Sequence, residues 1–429
     1  MPQKSFVLWM CLGQIGNLLP HVVVPAVMTA HLIPQWGLSN TEAGILAAAY
    51  AAGYMLAVPV LSALTDRFDA KRILFWGSLA SASATVAFGL WAYSFQAALI
   101  CWGLAGVGFA GAYMPGLRAL TDRLNPGDAS RSVTYYTSSF SFGVGLSFLF
   151  SQWIADSLGW RWAFLLTGLG PLLMLFCAWR MQPKPPPPPS GALLDFRPVI
   201  RNRPAMAFIL AYGAHCFELY GIRTWIVAFW TFVIERHARG DGFEALMTSW
   251  ATPMMISVIF TVLAMPASIA GNELSIRLGR HRAIRGIQFA SAAIALLIGL
   301  NADGSILLLL PLILIYALTV PADSGSLTAG MSASADPRFR GATLAMHSTV
   351  GFGLSALAGW MLGFCLDGFG GASQAQAWQA AFFLLAFSIL LGPLVLRIVR
   401  CPLCTLRRRL CGLRPRLLGF KRVLVTLRR

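Results

Sequence analysis

One short stretch of this chain concentrates groups able to move protons and hold anions: His215-Cys-Phe-Glu218-Leu-Tyr220-Gly-Ile-Arg223. His215 and Glu218 are three positions apart, so on a helix they share a face. A carboxyl group in apolar surroundings keeps its proton to higher pH than a solvated one, and imidazole exchanges its proton near neutrality. Such a pair can load and release a proton. The plainer reading is a static Glu218–His215 or Glu218–Arg223 pair that only stabilises the protein. Arg223 lies five positions beyond Glu218, an awkward spacing for an in-helix pair, and its planar guanidinium suits an anionic solute.

Further polar groups stand out against apolar surroundings. Gln14, Asn17 and His21 form one stripe at helical spacing, flanked by Pro20 and Pro25. The stripe is expected to line a cavity and contact solute; interhelical hydrogen bonding is the alternative. Tyr113-Met-Pro115-Gly-Leu-Arg118 and Tyr316 followed by Pro321-Ala-Asp323 occupy matching places further along. Tyr113, Tyr316 and His347 are added as solute contacts, with packing the plainer role for His347. Asp323 is a second candidate proton carrier. Arg118 and Asp323 are also expected to form a charge pair that closes an inner gate, although Arg118 suits simple anchoring at a membrane surface.

All of these groups lie in or beside long apolar runs. Of the 429 residues, 57% are hydrophobic and 11% charged, and the mean hydropathy is +0.67, against roughly 25% charged in a soluble domain. No Asp, Glu, Lys or Arg occurs in 5–41, 43–65, 73–117, 132–155, 245–272 or 368–396. A helix needs about 20 apolar residues to cross a bilayer, and helices satisfy their own backbone in lipid. The chain therefore reads as an all-α membrane protein with twelve spans: 6–32, 42–64, 73–93, 96–117, 132–155, 161–180, 205–234, 245–270, 284–302, 305–332, 341–366 and 376–399. Lys4 precedes the first run, and no small-residue cleavage site follows at the right distance, so that run reads as a span rather than a cleaved leader.

The net charge of +17 follows membrane topology, with no need for nucleic acid as a partner. If the N-terminus is cytoplasmic, 29 of the 33 Lys and Arg residues fall on that side. This places both ends in the cytoplasm of a cell whose inner membrane holds the protein. Gln182-Pro-Lys-Pro-Pro-Pro-Pro-Pro-Ser190 reads as an extended spacer. It divides residues 1–181, a first six-helix bundle, from a linker at 182–203, a second bundle at 204–399 and a basic tail at 400–429 that is expected to lie along anionic lipid. Cys11, Cys101, Cys177, Cys216 and Cys365 sit in apolar runs as packing residues. Cys401, Cys404 and Cys411 lie in the tail without a His, so reduced thiols are expected there rather than a metal site.

The two halves repeat. Leu64, Arg67 and Arg72 map with one offset onto Leu274, Arg277 and Arg282. Gly143-Val-Gly145-Leu-Ser147 matches Gly351-Phe-Gly353-Leu-Ser355, and Trp160-Arg-Trp-Ala-Phe164 matches Trp378-Gln-Ala-Ala-Phe382. Repeats of this kind enclose midplane sites in many secondary transporters. The stretch Ser62-Ala-Leu-Thr-Asp66-Arg67-Phe-Asp-Ala-Lys71-Arg72 resembles the major facilitator superfamily signature G-x-x-x-D-R-x-G-R-K, with Ser62 and Asp69 in place of its glycines. Gly103, Gly106, Gly108 and Gly111 and the Gly-Trp-Arg-Trp-Ala-Phe opening of the sixth span are similar to that superfamily as well.

The resemblance implies two pseudo-symmetric six-helix bundles that rock about a central cavity. It also implies that Asp66, Arg67, Lys71 and Arg72 form a conformational loop; gating roles are expected for Asp66, Arg67, Arg72, Arg118, Arg277 and Arg282, and topology alone for Lys71. The chain lacks a phosphate-loop sequence and metal-catalytic spacings, so no cofactor and no enzymatic activity are expected. The expectation is a monomeric, proton-coupled carrier importing a small polar or anionic solute. An exporter of drugs or metabolites is the alternative within transport, and a non-transporting solute sensor or scaffold the alternative outside it.

Overall fold

The computed structural model describes residues 3–124, 129–184, 186, 194–237 and 243–399. Most of the proline run and the tail with Cys401, Cys404 and Cys411 lie outside them. The regular elements among the described residues are all helical: α1 (Gln3–Leu18), α2 (Val23–Val27), a π-turn at Met28–Leu32, α3 (Ile33–Trp36), α4 (Asn40–Leu64), α5 (Ala70–Trp91), α6 (Phe95–Thr121), α7 (Ala129–Leu158), α8 (Trp160–Gly168), α9 (Pro171–Arg180) and α10 (Arg197–Arg201). Then follow α11 (Arg203–His237), α12 (Phe243–Trp250), α13 (Pro253–Val262), α14 (Ala264–Leu278), α15 (Arg280–Leu300), α16 (Ile306–Thr319), α17 (Ser324–Ser334), α18 (Arg340–Gly368) and α19 (Ala375–Val399).

Among the described residues, ten helices are long and apolar enough to cross a membrane, some in two segments. A pair bent by 48°, Lys4–Leu18 with Val23–Trp36, makes an eleventh. The expected fifth span corresponds to α7, which is 30 residues long. Ser138, Ser139, Ser141, Ser147, Ser151 and Gln152 make it more polar than the other spans, and it is outside that count. The expected eighth span also starts later than its apolar run. Thr252 caps α13, its hydroxyl accepting from Met255 N at 3.2 Å, and the run before it forms the separate α12.

Pro20 sits in the break between α1 and α2 and cannot donate a backbone hydrogen bond. Ser147 of α7 serves the freed groups. Its hydroxyl donates to Leu19 O at 2.6 Å and accepts from Val22 N at 3.2 Å. A second break at Val320–Asp323, around Pro321, separates α16 from α17 and exposes the Asp323 side chain to neighbouring helices.

Helices α1–α9 pack as one group and α11–α19 as another, joined chiefly through α4 against α18 and α7 against α13. Glycines permit the closest approaches. A Cβ on Gly106 would stand 1.9 Å from Tyr50 O, and one on Gly53 2.1 Å from Gly103 O. Across the two groups, a Cβ on Gly44 would lie 2.5 Å from Gly359 O, and one on Gly363 2.2 Å from Asn40 O. Small residues at such crossings let backbones touch and gain van der Waals contact, the main attraction between helices in lipid.

Gly106→Ala is expected to destabilise the protein by about 1–3 kcal/mol through overpacking. Gly103→Ala, whose Cβ meets nothing nearer than 3.8 Å, is expected to be tolerated. The gain in helix propensity is common to both variants, so unfolding in detergent, followed side by side, isolates the clash.

Candidate functional site

The ionisable side chains of the second group converge from three elements. His215 and Glu218 are buried on α11, and Asp323 is buried at the α16–α17 break. His215 Nδ1 lies 2.7 Å from Asp323 Oδ1. Gln288 of α15 donates to Asp323 Oδ2 at 2.7 Å. Glu218 Oε1 accepts from Ser291 Oγ at 2.8 Å and from Tyr316 OH at 3.0 Å, while Glu218 Oε2 has no protein partner among the described residues.

Neither in-helix pairing considered from sequence is present. The i,i+3 neighbours His215 and Glu218 each turn to a different helix. Gln288 and Ser291 went unremarked in the sequence because neutral polar residues in an apolar run carry little signal. Their spacing of three, on one face of α15, is the clue that was available.

Tyr316 belongs to the Glu218 cluster and is buried away from the central cavity. His347 stacks on Tyr212 at 3.8 Å and lies 3.4 Å from Thr328 Oγ1. Tyr212 in turn faces His215 at 5.5 Å. Aromatic and imidazole rings thus run from α18 to the His215–Asp323 contact.

In the first group, Gln14 accepts from Tyr136 OH at 2.8 Å. Asn17 is fully buried, and neither of its amide atoms has a protein partner among the described residues. Tyr113 is half-buried and stacked with Phe109, their centroids 5.8 Å apart. His21 is ringed by Tyr50, Phe109, Phe140 and Tyr220 at 5.1, 5.1, 5.4 and 6.4 Å.

A small cavity of about 30 Å³ lies between the groups, where α2, α4, α11 and α18 meet. Its walls include His21, Tyr50, Tyr220, Arg223, Thr224 and Ser355. Arg223 is buried, its guanidinium 5.1 Å from the Tyr220 ring and its Nε without a protein partner among the described residues. Toward the side that carries residues 182–184, here the linker side, Tyr54 of α4 stacks on Phe352 of α18 at 3.7 Å across the two groups. Of the solute contacts expected from sequence, His21 and Arg223 line this cavity. Gln14, Asn17, Tyr113, Tyr316 and His347 do not, because each is packed among its own group's helices.

The expected Arg118–Asp323 gate is absent from this conformation. Arg118 donates to Asp122 at 2.8 Å and reaches Asp66 at 3.5 Å, whereas Asp323 is engaged with His215 and Gln288. Arg67, Arg72 and Arg282 are exposed, and Arg277 pairs with Glu273 four residues earlier on the same helix, at 3.1 Å. Lys71 is more than a topology charge, since its Nζ donates to Trp179 O at 3.3 Å and to Met181 O, at the end of α9.

The busiest residue of this loop is Asp69, which replaces a signature glycine and carries no role in the sequence reading. It caps α5 through Lys71 N at 3.0 Å, accepts from Arg123 Nη2 at 2.8 Å on both oxygens, and accepts from Lys184 N at 2.7 Å. Arg123 also donates to Gln182 O at 2.9 Å, and Lys184 Nζ to Asp122 O. Burial pushes the Asp69 carboxyl up, but the bonds from Arg123, Lys184 and Lys71 together outweigh it and hold it below its ordinary value of 3.8.

A family model described as Major Facilitator Superfamily matches residues 10–268. Protein spinster homolog 1 of Homo sapiens is 25% identical over 212 residues, 45% of this chain and 39% of that protein. The 4-hydroxybenzoate transporter of Acinetobacter baylyi is 27% identical over 145 residues, 34% of this chain and 31% of that protein. This chain therefore spans well under half the length of these relatives. A solved bacterial homologue of the human lysosomal transporter spinster, inward-facing and unoccupied, has the same fold: the TM-score is 0.67 at 18% identity, covering 92% of this chain and 95% of that one.

A carboxylate whose folded pKa is depressed stabilises above its unfolded value and loses that contribution as pH falls through the folded one. The stability difference between the wild type and Asp69→Asn is therefore expected to be constant above about pH 5. It should shrink as pH drops below 3.8, which paired melting curves across that range will show.

Proposed function

From the premise that this chain belongs to the Major Facilitator Superfamily, we propose that it is a proton-coupled carrier that imports a small anionic solute by alternating access. The observation that carries the reading is the placement of Glu218 and Asp323. Two carboxylates buried at the depth of the spans are costly, about 2.5–3.5 kcal/mol each on insertion scales, and a load that titrates gives them a use. Glu218 Oε2, the oxygen without a protein partner, is the atom to receive a proton. The second carboxylate, bridged to His215, is the station to which it passes.

Solute charge follows from what faces the cavity. Its lining holds Arg223 and His21 but neither Glu218 nor Asp323. With both acids turned to other helices, a cationic solute finds no counter-charge, and an anion finds a guanidinium with a free edge. Hydroxyls of Thr224 and Ser355 and the Tyr220 ring complete the contact. The relative named for 4-hydroxybenzoate, a small organic anion, is in keeping with this assignment. Protonating Glu218 while an anion sits beside Arg223 keeps the moving assembly near neutral, which favours symport over exchange.

On this reading both ends of the chain are cytoplasmic, the protein acts as a monomer in the cytoplasmic membrane, and the segment 182–203 separates the two moving bundles. Asp66, with Arg118 and Asp122, rearranges as the linker side opens and closes, and the exposed Arg67, Arg72, Arg277 and Arg282 hold the loops at the anionic surface.

Reconstituted wild-type protein is expected to accumulate organic anions when the interior of the vesicle is made alkaline. Glu218→Gln is expected to equilibrate the solute down its own gradient without accumulating it. Accumulation at the wild-type rate by Glu218→Gln would remove the proton role from this residue.

A further inference from the structure

On the side opposite the linker, the first turn of α4 meets the last turn of α18. Asp367 accepts four hydrogen bonds there: from Asn40 N at 3.1 Å, Asn40 Nδ2 at 2.7 Å, Thr41 N at 2.7 Å and Thr41 Oγ1 at 2.6 Å. One carboxylate oxygen takes both bonds from Asn40 and the other both from Thr41. The partners lie 326 and 327 positions apart, in different bundles. Asn40 and Thr41 are at the amino end of α4, where unpaired backbone N–H groups and the helix dipole favour a negative charge.

The contact does not duplicate a cap that α4 already has. Ser39 accepts from Glu42 N at 3.1 Å and Glu42 accepts from Ser39 N at 2.9 Å, a complete capping box. The box leaves Asn40 N and Thr41 N, and Asp367 takes both from the other bundle. What Asp367 adds is a link to the other bundle.

The surrounding contacts give the link its meaning. Below it, Gly363 of α18 meets Asn40 and Gly44 of α4 meets Gly359, with no room for a Cβ on Gly363 or Gly44, and Trp225 of α11 donates to Gly359 O at 3.0 Å. A second cross-bundle hydrogen bond joins Gln152 of α7 to Ser257 of α13 at 3.0 Å. Toward the linker side, the stacked rings of Tyr54 and Phe352 are a further cross-bundle contact between α4 and α18. At 1.5 Å of rise per residue, the zone from Gly359 to Asp367 is about 12 Å deep.

We propose that Asp367 is a latch. Its four bonds to Asn40 and Thr41 hold the bundles together on the side away from the linker, and they must break as a unit before the central cavity can open there. The carboxylate is one group with four donors, so the latch is either engaged or released. This goes beyond the transport reading and does not depend on the identity of the solute.

The test needs no solute either. Hydrogen–deuterium exchange of the full-length protein in lipid nanodiscs compares wild type, Asp367→Ala and Asp367→Asn. If Asp367 is a latch, Asp367→Ala raises exchange about tenfold or more in the outer turns of α4 and α18, the scale of losing one charge-assisted hydrogen bond. It also raises exchange at the separate α7–α13 contact around Gln152 and Ser257, because both contacts release in one movement. Asp367→Asn, which keeps an acceptor but loses the charge, falls between. Combining Asp367→Ala with Asn40→Ala is then less than additive.

Faster exchange confined to residues 40–43 would make Asp367 a local helix-end partner and overturn the proposal, as would unchanged exchange at the α7–α13 contact. A variant with lower yield but wild-type exchange at both contacts would overturn it as well.

Discussion

Hydrocarbon gives a charged or hydrogen-bonding group nothing to bind, and this cost governs where each polar side chain of the protein sits. The surfaces turned outward carry Leu56, Trp76, Ile100, Trp153, Ile276, Phe364 and Phe387. Groups that would be costly there are turned inward, and several are matched across helices. Glu218 on α11 finds Ser291 on α15 and Tyr316 on α16, and Asp323 finds His215 on α11 and Gln288 on α15. Even the broken backbone of the first span is served, by Ser147 from another helix. These partners join elements that apolar packing alone would let slide, because lipid offers helices no hydrophobic gain for associating.

Much of this was legible in the sequence, since a span leaves a plain trace: a run without charge, bounded by basic residues. The division into two groups followed from the Gly-x-Gly-Leu-Ser repeat and the proline run. Glu218, Asp323, His21 and Arg223 stood out because ionisable residues are rare at that depth. Gln288 and Ser291, which bond Asp323 and Glu218, did not, nor did Tyr136, which bonds Gln14. Gln288, Ser291 and Tyr136 are neutral and their roles depend on which helix is adjacent, information that spacing along one helix lacks. Arg118 and Asp323 were expected to meet because the repeat places them at similar depth. Depth is only one coordinate, and Asp122, four residues from Arg118 on the next turn, offered a nearer partner. The serines of α7 lowered its apolar signal for a reason that only the neighbouring helix reveals: Ser147 is there to serve α1.

The loop after α4 shows how a departure from a family pattern can be informative. Asp69 occupies a place where the signature has glycine, and with that carboxylate comes a set of bonds to Arg123 and Lys184. They tie the start of the linker to the ends of α5 and α6. Gln182 and Lys184, the first polar residues after the sixth span, are thus held against the first bundle.

The ionisable groups are also divided unevenly. The first bundle has no carboxylate or guanidinium between residues 43 and 65, 73 and 117, or 132 and 155, and what it turns toward His21 is a wall of rings. On the proposed reading, energy conversion resides in one half of the molecule and shape discrimination in the other. Substitutions among Tyr50, Phe109 and Phe140 could then retune which molecules are accepted while the apparatus that harnesses the gradient stays intact, so that a lineage of such carriers could diversify its cargo by altering one half alone.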